Sequence, residues 1–262
     1  MRKLKWLAVI PVMIGLAACS SSPKASSESS SAAPAAAPQQ QLKPVDPATV
    51  GEITGVVKFD GAVPHPRMIR MGQDPVCQKA NHDKPVYFQD GEVNSNHTLP
   101  YVFVYVKKGA GQYDWTPPSE PVVLDQKGCM YEPHVMGVMV GQQFKVINSD
   151  PTTHNIHPMP ADNRAWNESQ PPGAPPITKT WARPEVMVPV KCNEHPWMRC
   201  YIGVTKSPLY AVTGDDGTFT IQGVPPGTYT LGFWTATFGT QEQQVTVPPK
   251  GTAKVTVTFK AS

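Results

Sequence analysis

The sequence predicts an all-β protein with many loops, and three observations lead to that class. Proline accounts for 30 of the 262 residues, about twice its usual share of ~5%, and proline breaks helices but is tolerated at turns and sheet edges. No long stretch carries a clean helical period. Short β-branched and aromatic runs instead alternate with Gly/Pro turns. Together these features exclude a helical bundle or coiled coil and argue against wholesale disorder.

The first residues have the pattern of a processing signal. Residues 1–18 combine a basic start with an apolar stretch at 6–16 that is too short to span a bilayer comfortably. The tetrapeptide LAAC at 16–19 resembles a bacterial lipobox, which implies cleavage before Cys19 and acylation of that cysteine. The alternative is an ordinary secretory signal with a coincidental cysteine. Ser20 follows the acylated position, and this favours the outer membrane over the inner one.

Residues 19–50 form a Ser/Ala/Pro/Gln stretch that we expect to be a disordered tether. Because residues 1–18 hold three basic and no acidic side chains, they account for the whole formal net charge of +3. A neutral mature chain gives no reason to expect nucleic acid as a partner. We expect a monomer attached to the membrane by its lipid, in the cell envelope, facing the periplasm or the cell surface.

The folded part begins near residue 51 and shows recurrent strand signals. Turn sequences such as GDDG, GVPPG and PPKG separate these signals. The predicted strands cover residues 53–59, 101–106, 135–140, 144–147, 219–221, 229–234, 244–247 and 253–259.

Two β units can be told apart. The sequence DDGTFTIQGVPPGTYTL within residues 210–260 resembles the tail of carboxypeptidase-regulatory-like (transthyretin-like) β-sandwiches, whose beginning matches the strand patterns in residues 51–108. That resemblance implies a discontinuous sandwich formed by 51–121 and 206–262. Residues 122–205 would then be a second sandwich inserted in it or adjacent to it. Three β units in series remain the alternative.

The number of cysteines is odd, so a disulfide framework cannot use them all. The five are Cys19, Cys77, Cys129, Cys192 and Cys200. Cys77 and Cys129 lie in turn-like contexts (DPVC and KGC), and in an oxidising compartment we expect a disulfide between them. Cys200 is left without a partner; if it is buried, it is an inert small hydrophobic residue.

The segment CNEHPWM carries the chemistry, because Cys192, His195 and Met198 follow a C-x2-H-x2-M spacing. A thiolate, an imidazole and a thioether on one loop are soft ligands, and a second imidazole would complete a set that suits copper in electron transfer. Zinc would want another thiolate, imidazole or carboxylate in place of the thioether. His154 and His157 are both available, and on an extended strand they point to opposite faces, so one ligand is expected.

This region resembles a cupredoxin, and its metal loop CNEHPWMR is most similar to that of amicyanin-type blue copper proteins. The resemblance implies a Greek-key sandwich holding one type 1 copper ion, with His154, Cys192 and His195 as equatorial ligands and Met198 as the axial ligand. Pro196 and Trp197 would form an apolar docking patch, although Trp197 packed under the loop is an equally open interpretation.

The predicted function is that of a membrane-tethered electron carrier that exchanges electrons with redox proteins such as periplasmic cytochromes. It is not expected to be an enzyme, because no nucleophile–base motif, phosphate-binding loop or nucleotide fingerprint occurs in the sequence. Two alternatives remain. One is a copper-binding or copper-delivery lipoprotein without redox cycling, and the other is a non-catalytic structural or carbohydrate-binding envelope module.

Overall fold

The computed structural model describes residues 42–72 and 74–261. The predicted signal peptide, the predicted lipidation site Cys19 and most of the predicted tether lie outside the described residues. Within them the chain forms one short helix and sixteen strands, so the predicted all-β class is confirmed.

The helix α1 spans Pro75–Ala80 and lies between the first two strands. The strands are β1 (Gly51–Asp60), β2 (Phe103–Lys108), β3 (Val122–Lys127), β4 (Met130–Glu132), β5 (Val135–Met139), β6 (Gln143–Asn148), β7 (His154–Pro158), β8 (Glu168–Gln170), β9 (Ile177–Thr180), β10 (Glu185–Lys191), β11 (Arg199–Thr205), β12 (Tyr210–Val212), β13 (Thr218–Val224), β14 (Gly227–Thr235), β15 (Gly239–Val247) and β16 (Thr252–Lys260).

Strands from both ends of the described chain enclose a first hydrophobic core. One sheet has the order β13-β1-β16 and the other the order β12-β2-β14-β15. In β16, buried and exposed residues alternate strictly, as expected for a strand with one face on a core and one in solvent. The large buried side chains of this core include Ile53, Phe233 and Phe259.

The intervening strands enclose a second core. Their sheets have the orders β5-β11-β10-β7-β8 and β4-β3-β6-β9. This core includes Tyr131, Phe144 and Ile156. The chain between β1 and β2 also contributes to it, because Ile69, Met71 and other residues of that stretch are buried there.

The two sandwiches meet where glycines lie under aromatic rings. A Cβ atom on Gly203 of β11 would lie 2.2 Å from the ring of Phe103 in β2, and one on Gly137 of β5 would lie 2.1 Å from the ring of Tyr210 in β12. All five residues of β5 are buried, since one face packs on the second core and the other on the first sandwich. The strand therefore reads as a continuous apolar run rather than an alternating one.

Helix α1 is capped at its N-terminus by Asp74, whose carboxylate accepts hydrogen bonds from the backbone N–H groups of Val76 and Cys77. Asp as the capping residue with proline at the first helical position is a strong start signal. Among the described residues, no helix has the length and apolar character needed to cross a membrane.

Candidate metal centre

Three side chains from separate segments converge at one end of the second sandwich. His154 is the first residue of β7, Cys192 follows β10, and His195 lies in the loop that leads to β11. The Nδ1 atoms of the two imidazoles are 3.0 Å apart, and Cys192 Sγ is 3.8 Å from His195 Nδ1. All three residues are buried, with at most 4% of their surface exposed. They form one of the groups of side chains in the described chain that could hold a metal ion.

Backbone pairing explains why the loop places its side chains inward. Lys191 and Arg199 are partners in the β10–β11 ladder, so the intervening residues form a tight connection. Within it, Met198 N–H donates to the His195 carbonyl at 2.9 Å, and Cys192 N–H donates to the Met198 carbonyl at 3.2 Å. Met198 is completely buried in the second core.

Of the two candidate imidazoles on β7, the structure brings His154 and not His157 to this point. His154 has no exposed surface. His157 faces the other way and lies 3.3 Å from the side-chain oxygen of Asn193 through its Nδ1 atom. The opposite orientations follow from the period of two along a strand.

Each imidazole is held at its far nitrogen by a carboxylate. His154 Nε2 lies 2.8 Å from Asp150 Oδ2, and His195 Nε2 lies 3.0 Å from Asp74 Oδ2. A carboxylate accepts hydrogen bonds only, so each Nε2 carries a proton, and in the neutral form of either ring the Nδ1 atom presents a lone pair. Two lone pairs that face each other at 3.0 Å repel unless a proton or a metal cation lies between them. The space between the two Nδ1 atoms is therefore one that a shared proton or a metal cation can occupy.

The three groups shift one another's pKa values because they are buried close together. Burial would raise the pKa of the Cys192 thiol, but hydrogen bonding with His154, His195 and the backbone lowers that pKa to about 6. Burial would lower the pKa of His154, but Asp150 and Cys192 raise it to about 9. The thiol of Cys192, followed by Asp74, raises the pKa of His195. At neutral pH the sulfur is a thiolate, the form that binds metals, whereas His154 carries an additional proton that a metal ion would have to displace.

The thiolate also accepts a hydrogen bond from the backbone of β7. Asn155 N–H points at Cys192 Sγ at 3.3 Å, and the Asn155 side-chain oxygen accepts from Asn193 N–H at 3.2 Å. The hydroxyl of Tyr131 in turn donates to the Asn155 carbonyl. This network ties β7 to the ligand loop from both sides.

Comparison with known proteins adds the following. Residues 201–260 match the carboxypeptidase regulatory-like domain, and among curated proteins none matches the chain. A copper-containing nitrite reductase from Thermus scotoductus SA-01 is similar over 37% of this chain and 24% of its own length, with 18% identity and a TM-score of 0.30. This chain thus spans about a quarter of that enzyme.

Two smaller copper proteins are also similar to the chain. An amicyanin mutant in its Cu(I) state is similar over 32% of this chain and 81% of its own, with 22% identity and a TM-score of 0.29. A purple cupredoxin from Nitrosopumilus maritimus is similar over 29% and 82%, with 19% identity and a TM-score of 0.25. The structural likeness to cupredoxins is weak. The family match confirms the carboxypeptidase-regulatory-like character of the last strands.

The remaining cysteines have distinct roles. Cys77 and Cys129 form a disulfide bond, the pairing that the sequence predicts. Their sulfur atoms lie within 4.8 Å of a His195 ring nitrogen, but sulfurs bonded to each other are not thiolate ligands. Cys200 is completely buried, and burial raises the pKa of its thiol well above the ordinary value. It is an inert core residue.

The two residues proposed as a docking patch differ in exposure. Pro196 is exposed and Trp197 is half-buried. The Trp197 indole N–H donates to the Cys129 carbonyl at 3.0 Å, and its ring centroid lies 5.3 Å from that of His195. Trp197 therefore packs against the disulfide-bonded segment and keeps part of its surface exposed; its role in docking stays a prediction.

Sequence reasoning missed Asp74 and Asp150. Asp150 stands four residues before His154, close enough for the local sequence to have suggested a contact. Asp74 carries the signal of a helix cap, but 121 residues separate it from His195. Nothing in the local sequence links those two residues; the fold brings them together.

Proposed function

We propose that this protein is a type 1 copper protein that carries electrons in the bacterial cell envelope. The observation that supports this most is the convergence of two Nδ1 atoms and one thiolate on a buried point, with both Nε2 atoms bound elsewhere. Met198 lies in the same loop as the thiolate and is proposed as the weak axial ligand.

The donor set fits copper better than other biological metals. The separations of 3.0 and 3.8 Å between donor atoms are those of ligands that share one ion at bond lengths of about 2.0–2.3 Å. A hard cation would require oxygen ligands, and the two carboxylates bind the Nε2 atoms on the outer side of the rings. With those carboxylates engaged, we propose the thioether of Met198 for the fourth position, as the resemblance to cupredoxins implies, and a thioether suits copper better than zinc.

The ligand residues would favour electron transfer because the fold holds them in fixed positions. Copper, when bound, supplies the one-electron couple. The ligands come from β7 and from a loop closed by backbone hydrogen bonds, and their far nitrogens are fixed by carboxylates. Burial of all three donors excludes water from the site. The geometry of a site fixed in this way would change little between the two oxidation states of the ion. The reorganisation energy that opposes electron transfer would therefore be small.

The envelope location and the partners extend this proposal. Acylation of Cys19 would hold a monomeric domain on the membrane, and residues 20–50 would give it reach. The outer membrane is the favoured side. Electrons would be exchanged with redox proteins such as periplasmic cytochromes, through the surface that includes Pro196 and Trp197. No catalytic role is proposed.

The decisive experiment is the visible spectrum of the purified protein after copper loading. A Cys192 thiolate bound to Cu(II) is expected to give an intense charge-transfer band, which Cys192→Ala should abolish. Cys200→Ala is the matched control, because it removes another buried sulfur without touching the site and should keep the band. A colourless Cu(II) protein, or a Cys192→Ala variant that keeps its colour, would overturn the proposal.

Copper delivery without redox cycling is less well supported. Delivery requires ligands that a partner can reach and exchange, whereas His154, Cys192 and Met198 are almost fully buried. A reversible midpoint potential together with electron exchange with a cytochrome would support the carrier. Rapid transfer of copper to an acceptor protein with no reversible potential would support delivery.

A further inference from the structure

The two carboxylates behind the imidazoles come from different parts of the molecule. Asp150 lies between β6 and β7, just before the strand that carries His154. Asp74 lies between β1 and β2, far from the other ligand-bearing segments in sequence. The surface of the Asp74 side chain is 27% exposed, whereas that of His195 is 5% exposed. Asp74 therefore covers the outer edge of His195.

Each carboxylate is fixed on its other side by the backbone of one half-cystine. Asp74 Oδ1 accepts from the N–H of Cys77 at 3.1 Å. Asp150 Oδ2 accepts from the N–H of Cys129 at 2.7 Å, and its Oδ1 accepts from the N–H of Gly128 at 2.7 Å. Because Cys77 and Cys129 are joined by a disulfide, one covalent bridge ties together the two supports of the two imidazoles.

We propose that Asp74 and Asp150 are a pair of positioning residues for the metal centre, held in place by the Cys77–Cys129 disulfide. This inference rests on the proposed copper site. It assigns a part in that site to the segment between β1 and β2, which supplies no metal ligand.

The physical consequence follows from the hydrogen bonds. A carboxylate that accepts the Nε2 proton fixes the ring orientation and makes the Nδ1 atom a more basic ligand. The negative charge close to the ring also stabilises a divalent ion more than a monovalent one. Loss of either carboxylate should weaken binding of Cu(II) more than binding of Cu(I), and the midpoint potential should rise.

The test compares two Asp74 variants that treat the helix cap alike. Asp74→Ser keeps a capping oxygen for α1 but is too short to reach His195, and Asp74→Asn keeps the capping oxygen but turns an amide NH2, a donor, toward the Nε2–H of His195. The affinity for Cu(II), measured by competition with a chelator, should fall about 10- to 100-fold in Asp74→Ser. A tenfold loss confined to Cu(II) raises the potential by about 59 mV. Asp74→Asn should change affinity and potential in the same direction by at least as much, because the two facing groups are then both donors.

Glu194→Gln is the matched control. It removes an exposed carboxylate from the loop between β10 and β11 that holds His195, and it should leave copper affinity and midpoint potential close to those of the wild type. A second measurement is independent of the redox couple. In the diamagnetic Cu(I) form, the Nε2 proton of His195 should give a protected nitrogen-bound NMR signal that is lost in Asp74→Ser. Asp150→Asn should have the corresponding effect on His154. Thermal melts and thiol counts of the metal-free variants check that the fold and the disulfide are intact.

The outcomes separate this inference from the function on which it rests. A wild-type protein without the charge-transfer band would overturn the proposed function itself. A wild type with the band, but with folded Asp74→Ser and Asp150→Asn variants unchanged in affinity, potential and NMR signal, would overturn only the positioning role. A shift in Glu194→Gln as large as that in Asp74→Ser would also overturn it, because the effect would then be long-range charge alone.

Discussion

The two imidazoles of the candidate site differ in how far they lie from solvent. His154 is enclosed entirely, with Asp150 behind it also buried. His195 contacts the partly exposed Asp74 through its Nε2 atom and lies beside the half-buried Trp197 of its own loop. We therefore expect electrons to enter and leave on the His195 side, through the surface that includes the exposed Pro196 and the half-buried Trp197.

A second buried carboxylate, Asp90, gives a prediction about pH. Its oxygens lie 3.0 Å from His134 Nε2 and 3.3 Å from an Arg199 guanidinium nitrogen. Burial would raise the pKa of Asp90, but His134 and then Arg199 lower it below the ordinary value. A carboxylate with a lowered pKa in the folded state contributes stability above its ordinary pKa of about 3.9, and this is lost as the pH falls through the folded value.

Asp90→Asn should therefore reduce the free energy of unfolding by about 1–3 kcal/mol near pH 6, and by less at pH 3. Urea titrations of wild type and variant at the two pH values measure this difference. Asp114→Asn, at an exposed aspartate, serves as the control and should show no such dependence. An Asp90→Asn effect of equal size at both pH values would contradict the assignment of the stability to the carboxylate charge.

At the scale of elements, the loop between β10 and β11 could be predicted from the sequence and the segment around α1 could not. The spacing of Cys192, His195 and Met198 is local, so the sequence alone indicates one loop with three soft donors. The period of two along β7 separates His154 from His157 for the same reason. The contact between Asp74 and His195 depends on how a short helix packs against another sandwich, and no local pattern encodes it.

The disulfide joins the segment around α1 to the second sandwich, and its removal should lower the stability of the fold. It closes a loop with a sequence separation of 52 residues, and in the chain-entropy model such a loop stabilises the fold by about 4 kcal/mol. The double variant Cys77→Ala/Cys129→Ala should lose about 2–4 kcal/mol of unfolding free energy in denaturant titrations. Because both carboxylates lose a fixed support, its copper potential should shift in the same direction as that of Asp74→Ser.

Cys200→Ala is the control for the removal of buried sulfur, and its potential should match that of the wild type. If the double variant unfolded at the same denaturant concentration and had the same potential as the wild type, the bridge would have neither the stabilising nor the positioning role.

At the scale of the whole molecule, the all-β class and the two strand-rich regions are readable from the sequence because proline, turn and alternation signals repeat along the chain. The contact between the two sandwiches is harder to predict from the sequence. Gly137 and Gly203 occupy strand positions where glycine usually signals weakness, and only the structure shows the rings of Tyr210 and Phe103 above them. Strand β11 thus presents one face to the first sandwich and begins directly after the metal loop.

This shared strand predicts that the two cores unfold together. Gly203→Ala would place a methyl group against the Phe103 ring, and such overpacking costs about 1–3 kcal/mol. Gly111→Ala is the matched control, because a Cβ there meets open space and should change stability by no more than about 0.5 kcal/mol. In thermal unfolding of the copper-loaded wild type, the β-sheet circular dichroism and the visible band should disappear in one transition, and in Gly203→Ala both should move to lower temperature by the same amount. Two separate transitions in the wild type would show that the two sandwiches unfold independently. A Gly203→Ala variant as stable as Gly111→Ala would show that the contact between Gly203 and Phe103 does not couple them.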